Sequence, residues 1–307
     1  MESLEPTLVL KLCQINKDDP KQYNYLPGHE FFISNKQSSF IDFEGKGVVL
    51  KNDLEKEPLS FGRIKLGTLF PQVYFHHKIE SIKEKQFEIS IETTFKSYIL
   101  SNLTAANPTS LRIEKTPFFI DKGMIFDLAG TLIEVEEIQP CLKEEDAANS
   151  DFIFADVKAK SNLPADQVPT IITHRQPSPP KGEITQHINL RIIKGKDAAD
   201  IGSFNFKPKK QKEDLLVNIG SHKDCEIQIE KIEPVQLIIK YDTSVKRWMV
   251  FSEVEVKGDM SAAYLYLVGA NEFKREAFEK GTKVSVELRD KMKIGFGGNE
   301  LEVIIKK

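Results

Sequence analysis

This 307-residue chain is poor in the groups that covalent, redox and metal chemistry require. Its three cysteines, Cys13, Cys141 and Cys225, are odd in number and far apart. That pattern excludes a disulfide framework, offers no zinc-ligand spacing and implies reduced thiols in an intracellular compartment. No Gly-x-x-x-x-Gly-Lys-Ser/Thr loop occurs, and GKG at 45–47 is too short to cradle phosphates. A Gly-x-Ser-x-Gly elbow is also absent, and the Asp and Glu residues are scattered. No apolar run approaches the roughly 20 residues of a membrane-spanning helix, and MESLEPTLVLKL lacks the basic-apolar build of a signal peptide. Net charge is only −3, so nothing in the balance favours nucleic acid or an anionic membrane. The one basic run, KPKKQK (207–212), lies between strand-like segments and reads as a solvated loop.

Helical periodicity is equally scarce; NEFKREAFEKG (271–281) is good for one or two turns. What the chain has in abundance is short strands. TLVLKLCQI (7–15), FEISIE (87–92), SYIL (97–100), GTLIEVEEI (130–138), HINLRII (187–193), EIQIE (226–230), VQLIIKYD (235–242), RWMVF (247–251), AYLYLV (263–268), KVSVEL (283–288) and ELEVII (300–305) alternate or are β-branched, and Gly, Pro, Asn and Asp separate them. Many short, closely spaced strands indicate an all-β sandwich or barrel.

The strands recur in two sets. PFFIDKGMIFDLAGTLIEVEEI (117–138) and FEKGTKVSVELRDKMKIGFGGNELEVII (278–305) share one closing hairpin, and PLSFGR (58–63) is echoed by LLVNIGS (215–221). Between the sets, 139–183 carries five prolines from Pro164 to Pro180 and reads as an extended linker. The expected organisation is therefore one sandwich at 1–138, a linker at 139–183, and a second sandwich at 184–307. Thr170, Thr173 and Ser178 in that linker are candidate kinase targets.

Both sets resemble the forkhead-associated domain, whose pattern runs Gly-Arg, Ser-x-x-His, Asp-Leu-x-Ser-x-Asn-Gly-Thr and a closing hairpin. In the first set Gly62-Arg63, VYFHHKI (73–79) and LSNLTAANPTSL (100–111) carry the resemblance, with Val73 in place of Ser and Pro108 in place of Gly. The resemblance implies two sandwiches whose apical loops bind phosphothreonine. Arg63, Asn107 and Thr109 would contact the phosphopeptide, and His76 would bond within the loop scaffold rather than to a metal. A phosphothreonine carries nearly two negative charges, which an arginine meets with charge-assisted bonds. The second set has Ser221 at the arginine position, Glu233 and Gln236 in the Ser-x-x-His frame, and Lys257-Gly258 at the Asn-Gly corner. A carboxylate at the anion position opposes phosphate, which leaves this copy as scaffold. Trp248 fits a core-crossing strand.

IFDLAGTLIE (125–134) also resembles the first motif of haloacid-dehalogenase-type phosphatases, with Asp127 as nucleophile. Ala129 stands where the acid/base aspartate belongs, and strands follow instead of alternating βα units. The motif fits a hairpin turn better. The expectation is a non-enzymatic interaction or structural adaptor in a larger assembly, without cofactor or metal. Its partners would be proteins, including threonine-phosphorylated ones, and not nucleic acid or membrane. The cytoplasm, or a cytoskeletal or ciliary structure, ranks ahead of the nucleus. The alternative is a phosphothreonine reader acting through the first domain.

Overall fold

The computed structural model describes residues 6–16, 25–42, 44–63, 71–75, 79, 81–94, 96–141, 170–172, 185–194, 202–207, 215–255, 262–276 and 284–306. Period-2 alternation dictates its strands: LIIKYD and RWMVF bury every second side chain, as a pleated strand against a core requires. The protein is all-β, with one short helix among the described residues, α1 (Ala270–Arg275). No described helix is long and apolar enough to cross a membrane.

The chain forms two compact units that are not consecutive halves. Unit 1 comprises residues 1–112, 169–173 and 266–307; unit 2 comprises 113–168 and 174–265. Unit 1 contains β1 (Thr7–Gln14), β2 (Glu30–Ile33), β3 (Gln37–Ile41), β4 (Gly47–Lys51), β5 (Leu59–Arg63), β6 (Val73–Phe75), β7 (Phe87–Glu92), β8 (Ser97–Asn102) and β9 (Ser110–Arg112). Unit 2 opens with β10 (Phe118–Phe119), β11 (Ile125–Leu128) and β12 (Thr131–Cys141), and β13 (Thr170–Ile172) returns to unit 1. Unit 2 continues with β14 (Thr185–Lys194), β15 (Ser203–Phe206), β16 (Leu215–Gly220), β17 (Ile227–Gln228), β18 (Leu237–Asp242) and β19 (Arg247–Phe251). β20 (Ala263–Tyr266) ends it, and unit 1 is completed by β21 (Val284–Glu287), β22 (Lys293–Phe296) and β23 (Asn299–Lys306).

In unit 1 the antiparallel order β9-β22-β23-β1-β2-β3-β4 packs on β13-β21-β8-β7-β5-β6. Phe31 of β2 meets Phe61 of β5 (6.2 Å between ring centroids), and Phe87 of β7 meets Phe296 of β22 (5.4 Å), so the core lies between the two layers. In unit 2 the layers are β15-β14-β12-β11 and β10-β19-β18-β16-β17. There the sole tryptophan, Trp248, is buried against Tyr241 and donates Nε1–H to the Gln186 carbonyl of β14 (3.1 Å).

The two closing hairpins share one set of bonds. Gly123 N–H donates to Val135 O (2.8 Å), Val135 N–H to Met124 O (2.8 Å) and Met124 N–H to Asp121 O (3.3 Å). Lys291, Val303, Met292 and Arg289 repeat this at 2.7, 2.8 and 3.2 Å. Each hairpin turns through two residues of positive φ, Ala129-Gly130 and Gly297-Gly298, the geometry that a tight two-residue hairpin demands. Their partners are exchanged relative to chain order. β12 pairs with β14, aligning Val135 with Leu190, whereas β23 pairs with β1, aligning Val303 with Leu10. The pairing therefore draws the boundaries elsewhere than at 138 and 184: the hairpin at 117–138 closes unit 2, and the C-terminal hairpin closes unit 1. Because the hairpins are locally alike, periodicity carries no record of which long-range partner each takes. Of the expected linker, Gln139–Cys141 belong to β12 and Thr170–Ile172 to β13, which pairs parallel to β21. Thr173 and Ser178 lie outside the described residues.

Candidate functional site

One hydrogen-bond frame underlies the apex of both units. In unit 1, Gly62, next to last in β5, lies beside the turn at 81–86, so closely that a Cβ would stand 2.2 Å from Glu84 O. Arg63 N–H donates to Lys83 O (2.8 Å), Gln86 N–H to Phe61 O (2.8 Å), and Lys83 N–H to Gln86 Oε1 (3.0 Å). In unit 2, Gly220 approaches Pro234 O to 2.1 Å from its notional Cβ. Ser221 N–H donates to Glu233 O (3.0 Å), Gln236 N–H to Ile219 O (2.8 Å), and Glu233 N–H to Gln236 Oε1 (3.3 Å). KEKQFEI (83–89) is thus the counterpart of EPVQLII (233–239). The frame that the sequence placed on 73–79 in the first copy falls on Lys83–Gln86, and Gln86, not His76, matches Gln236. His76 lies outside the described residues, as does Lys257-Gly258.

This frame brings Arg63 and Asn107 to one turn. Asn107, exposed and at φ 64°, donates Nδ2–H to Ser81 O (2.9 Å), two residues from the carbonyl that receives Arg63 N–H. The left-handed conformation suits asparagine, and its own carbonyl accepts Gln86 Nε2–H (2.9 Å). The exposed carboxamide keeps Oδ1 and a second N–H for a ligand. Arg63 is half-buried at the end of β5, and among the described residues its guanidinium has no partner.

Thr109 belongs to the frame rather than to the ligand surface. It is fully buried; its N–H donates to Asn102 Oδ1 (3.1 Å) and its hydroxyl lies 3.3 Å from Gln86 Nε2 and from Gln86 O. The expectation that it contacts a peptide is therefore corrected: its hydroxyl is spent inside the loop. Asn102 is likewise committed, donating to Thr104 O and Leu267 O (both 2.8 Å). The C-terminal hairpin completes this apex, since a Cβ on Gly297 would stand 2.7 Å from Ser81 O, and Asn16 donates Nδ2–H to Gly297 O (3.2 Å).

Sequence reasoning missed Gln86, Ser81 and Lys83. The available signal was the shared Gln before apolar-x-Ile in KEKQFEI and EPVQLII. The charges on the frame differ sharply between units. Unit 1 carries Arg63, Lys83 and Lys85 against Glu84; unit 2 carries Ser221, Glu233, Pro234 and Val235 in the same places. Asp127, the nucleophile of the phosphatase-like motif, accepts Gly130 N–H at Oδ1 (2.7 Å) and so ties the β11–β12 turn. Among the described residues no His, Cys, Asp and Glu group could hold a metal ion. No protein-family model, no curated protein and no solved structure matches this chain, so the two units serve as each other's reference.

Proposed function

We propose that the protein is a non-enzymatic interaction adaptor, a subunit of a larger assembly that docks acidic protein segments at the apex of unit 1. One observation carries this reading: the same frame occurs twice, and the cations of the first copy are missing from the second, where Glu233 stands in the place of Lys83. Loops that vary in charge on a fixed scaffold are how binding modules select partners. The cationic places at Arg63, Lys83 and Lys85 suit a carboxylate- or phosphate-bearing segment, and those of unit 2 disfavour one.

Threonine-phosphorylated segments are the sharper form of this reading, and the juxtaposition of Arg63 with Asn107 favours it. Arg63 would meet the phosphate, and the Asn107 carboxamide would hold the peptide backbone. This is the chemistry that the forkhead-associated resemblance implies. Cys13 and Cys225 are free thiols, which accords with a reducing compartment such as the cytoplasm or a cytoskeletal or ciliary structure.

Affinity purification of the intact chain, with and without phosphatase treatment, tests the proposal. The adaptor reading expects a stable set of co-purifying proteins, and the phosphothreonine form expects members that phosphatase removes. A chain that migrates in extract as a free monomer contradicts the adaptor reading.

A further inference from the structure

Unit 1 exposes apolar side chains on the outer face of β2–β4. Phe32 of β2 lies opposite Ser39 of β3, itself opposite Val49 of β4, while Val9 on the neighbouring β1, opposite Phe32 and Ile304, is fully buried. Phe32, Ile41 and Val49 are 39%, 52% and 64% exposed, and with His29 and Gly47 they line an open groove of about 450 Å³. In unit 2 the equivalent places are polar: Asn189 lies opposite Asn205 and Glu137, and the two asparagines bond to each other. The repeat is thus an internal control. The control covers Val9, Phe32 and Ile304; Ile41 and Val49 stand on β3 and β4, for which unit 2 has no counterpart beyond β15 among the described residues, and their exposure marks the face.

The groove ends at β4, which has β3 as its one neighbour among the described residues. Asp42 N–H donates to Lys46 O (2.8 Å) and Asn52 N–H to Lys36 O (3.1 Å), bracketing the β3–β4 hairpin. Antiparallel bonding alternates, so Val48 and Leu50 bond inward to β3, and the N–H and C=O groups of Gly47, Val49 and Lys51 point away from it. An edge with open backbone groups and apolar side chains is a template for a further strand.

We infer that this edge pairs with the same edge of a second copy of the chain, β4 against β4, antiparallel about a two-fold axis at Val49. The register centred on Val49 engages all three outward residues, Val49 with Val49 and Gly47 with Lys51 in both directions. It also sets Val48 against Leu50 and Lys46 against Asn52, so no like charges face each other. Gly47 has no heavy atom within 4 Å of a notional Cβ, which leaves open space for the Lys51 side chain of the other copy. The pairing joins the two apolar faces into one and places two unit 1 apices in a single particle, which gives avidity toward a repetitive partner.

Sedimentation velocity on the full chain across a wide concentration series tests this. The expected result is a monomer–dimer equilibrium that Val49→Lys, with two like charges opposed, weakens about tenfold or more. Val49→Pro removes an outward N–H that makes no bond to β3, and it should dissociate the dimer without unfolding the unit, as circular dichroism would verify. Phe32→Ser, on the face but away from the edge, should leave a dimer. A monomer at every concentration overturns the proposal. So does a dimer indifferent to both Val49 variants, or one lost with Phe32→Ser but kept with them, which would indicate face stacking. A monomer whose Gly47–Lys51 amide signals shift only on adding an alternating Val-Thr peptide assigns the edge to another chain and likewise overturns it.

Discussion

Gln86 and Gln236 hold the same place in separate units. Each donates its backbone N–H to the residue before a close-approach glycine (2.8 Å in both), and each accepts at Oε1 the N–H three residues back (3.0 and 3.3 Å). Around this pair the chain has built two apices of one geometry, one with Arg63, Lys83 and Lys85 and the other with Ser221, Glu233 and Val235 in those places.

Gln86→Ala should destabilise unit 1. The side chain is fully buried, and its loss strands Lys83 N–H and the Asn107 carbonyl, while the Thr109 hydroxyl keeps the Gln86 backbone carbonyl. Each group left unsatisfied costs about 1–3 kcal/mol. Denaturant unfolding should show a loss in that range or above, and Asn107 signals should broaden as its anchor goes.

Gly62→Ala and Gly220→Ala should each be costly, because the added methyl meets backbone oxygen at 2.2 and 2.1 Å rather than a movable side chain. Overpacking costs about 1–3 kcal/mol even where side chains yield, so the upper end or beyond is expected. Gly47→Ala, with open space above it, is the control and should change stability little.

The exchange of hairpins makes a direct prediction about fragments. Residues 1–138 lack β21–β23 and carry a hairpin that belongs to unit 2, so this fragment should show dispersed NMR signals poorly or not at all. A chain joining 1–112 to 266–307 should fold, since it holds both layers of unit 1 except the edge strand β13. The reverse result would contradict the pairing of β1 with β23.

Acid should weaken unit 1 through His29. Burial holds its imidazole pKa below the ordinary 6.5, against a raising influence from Glu30 and the Ile41 backbone, and its Nε2 is buried with no partner among the described residues. Well above pH 6.5 neither state is protonated and the residue contributes nothing to the pH dependence. As pH falls below that value the unfolded state takes up the proton first, so stability drops until the folded pKa is passed. His29→Asn should flatten this part of the stability–pH curve, measured by denaturant midpoints.

The strands themselves were legible because alternation is a local property: FEISIE and RWMVF coincide with β7 and β19. The helix in NEFKRE was legible for the same reason, although it is a single short element. The β2–β4 region was not, since EFFI, QSSFI and GVVLK are short and only half-patterned. Arg63 and Asn107 could be singled out from motif spacing, and both bond to the 81–83 turn, Arg63 through its backbone N–H and Asn107 through its side chain. The role of Thr109 could not, because whether a hydroxyl faces solvent or a buried glutamine depends on a contact 23 residues away. Which hairpin closes which unit is likewise decided by pairing across nearly the whole chain.

The most direct test of the apical docking proposal is a titration of the full chain with a phosphothreonine peptide library, read by fluorescence anisotropy beside the unphosphorylated library. The expected result is phosphate-dependent binding that Arg63→Ala abolishes and Ser221→Ala leaves intact. Absence of any binder, or binding that persists in Arg63→Ala, would contradict it.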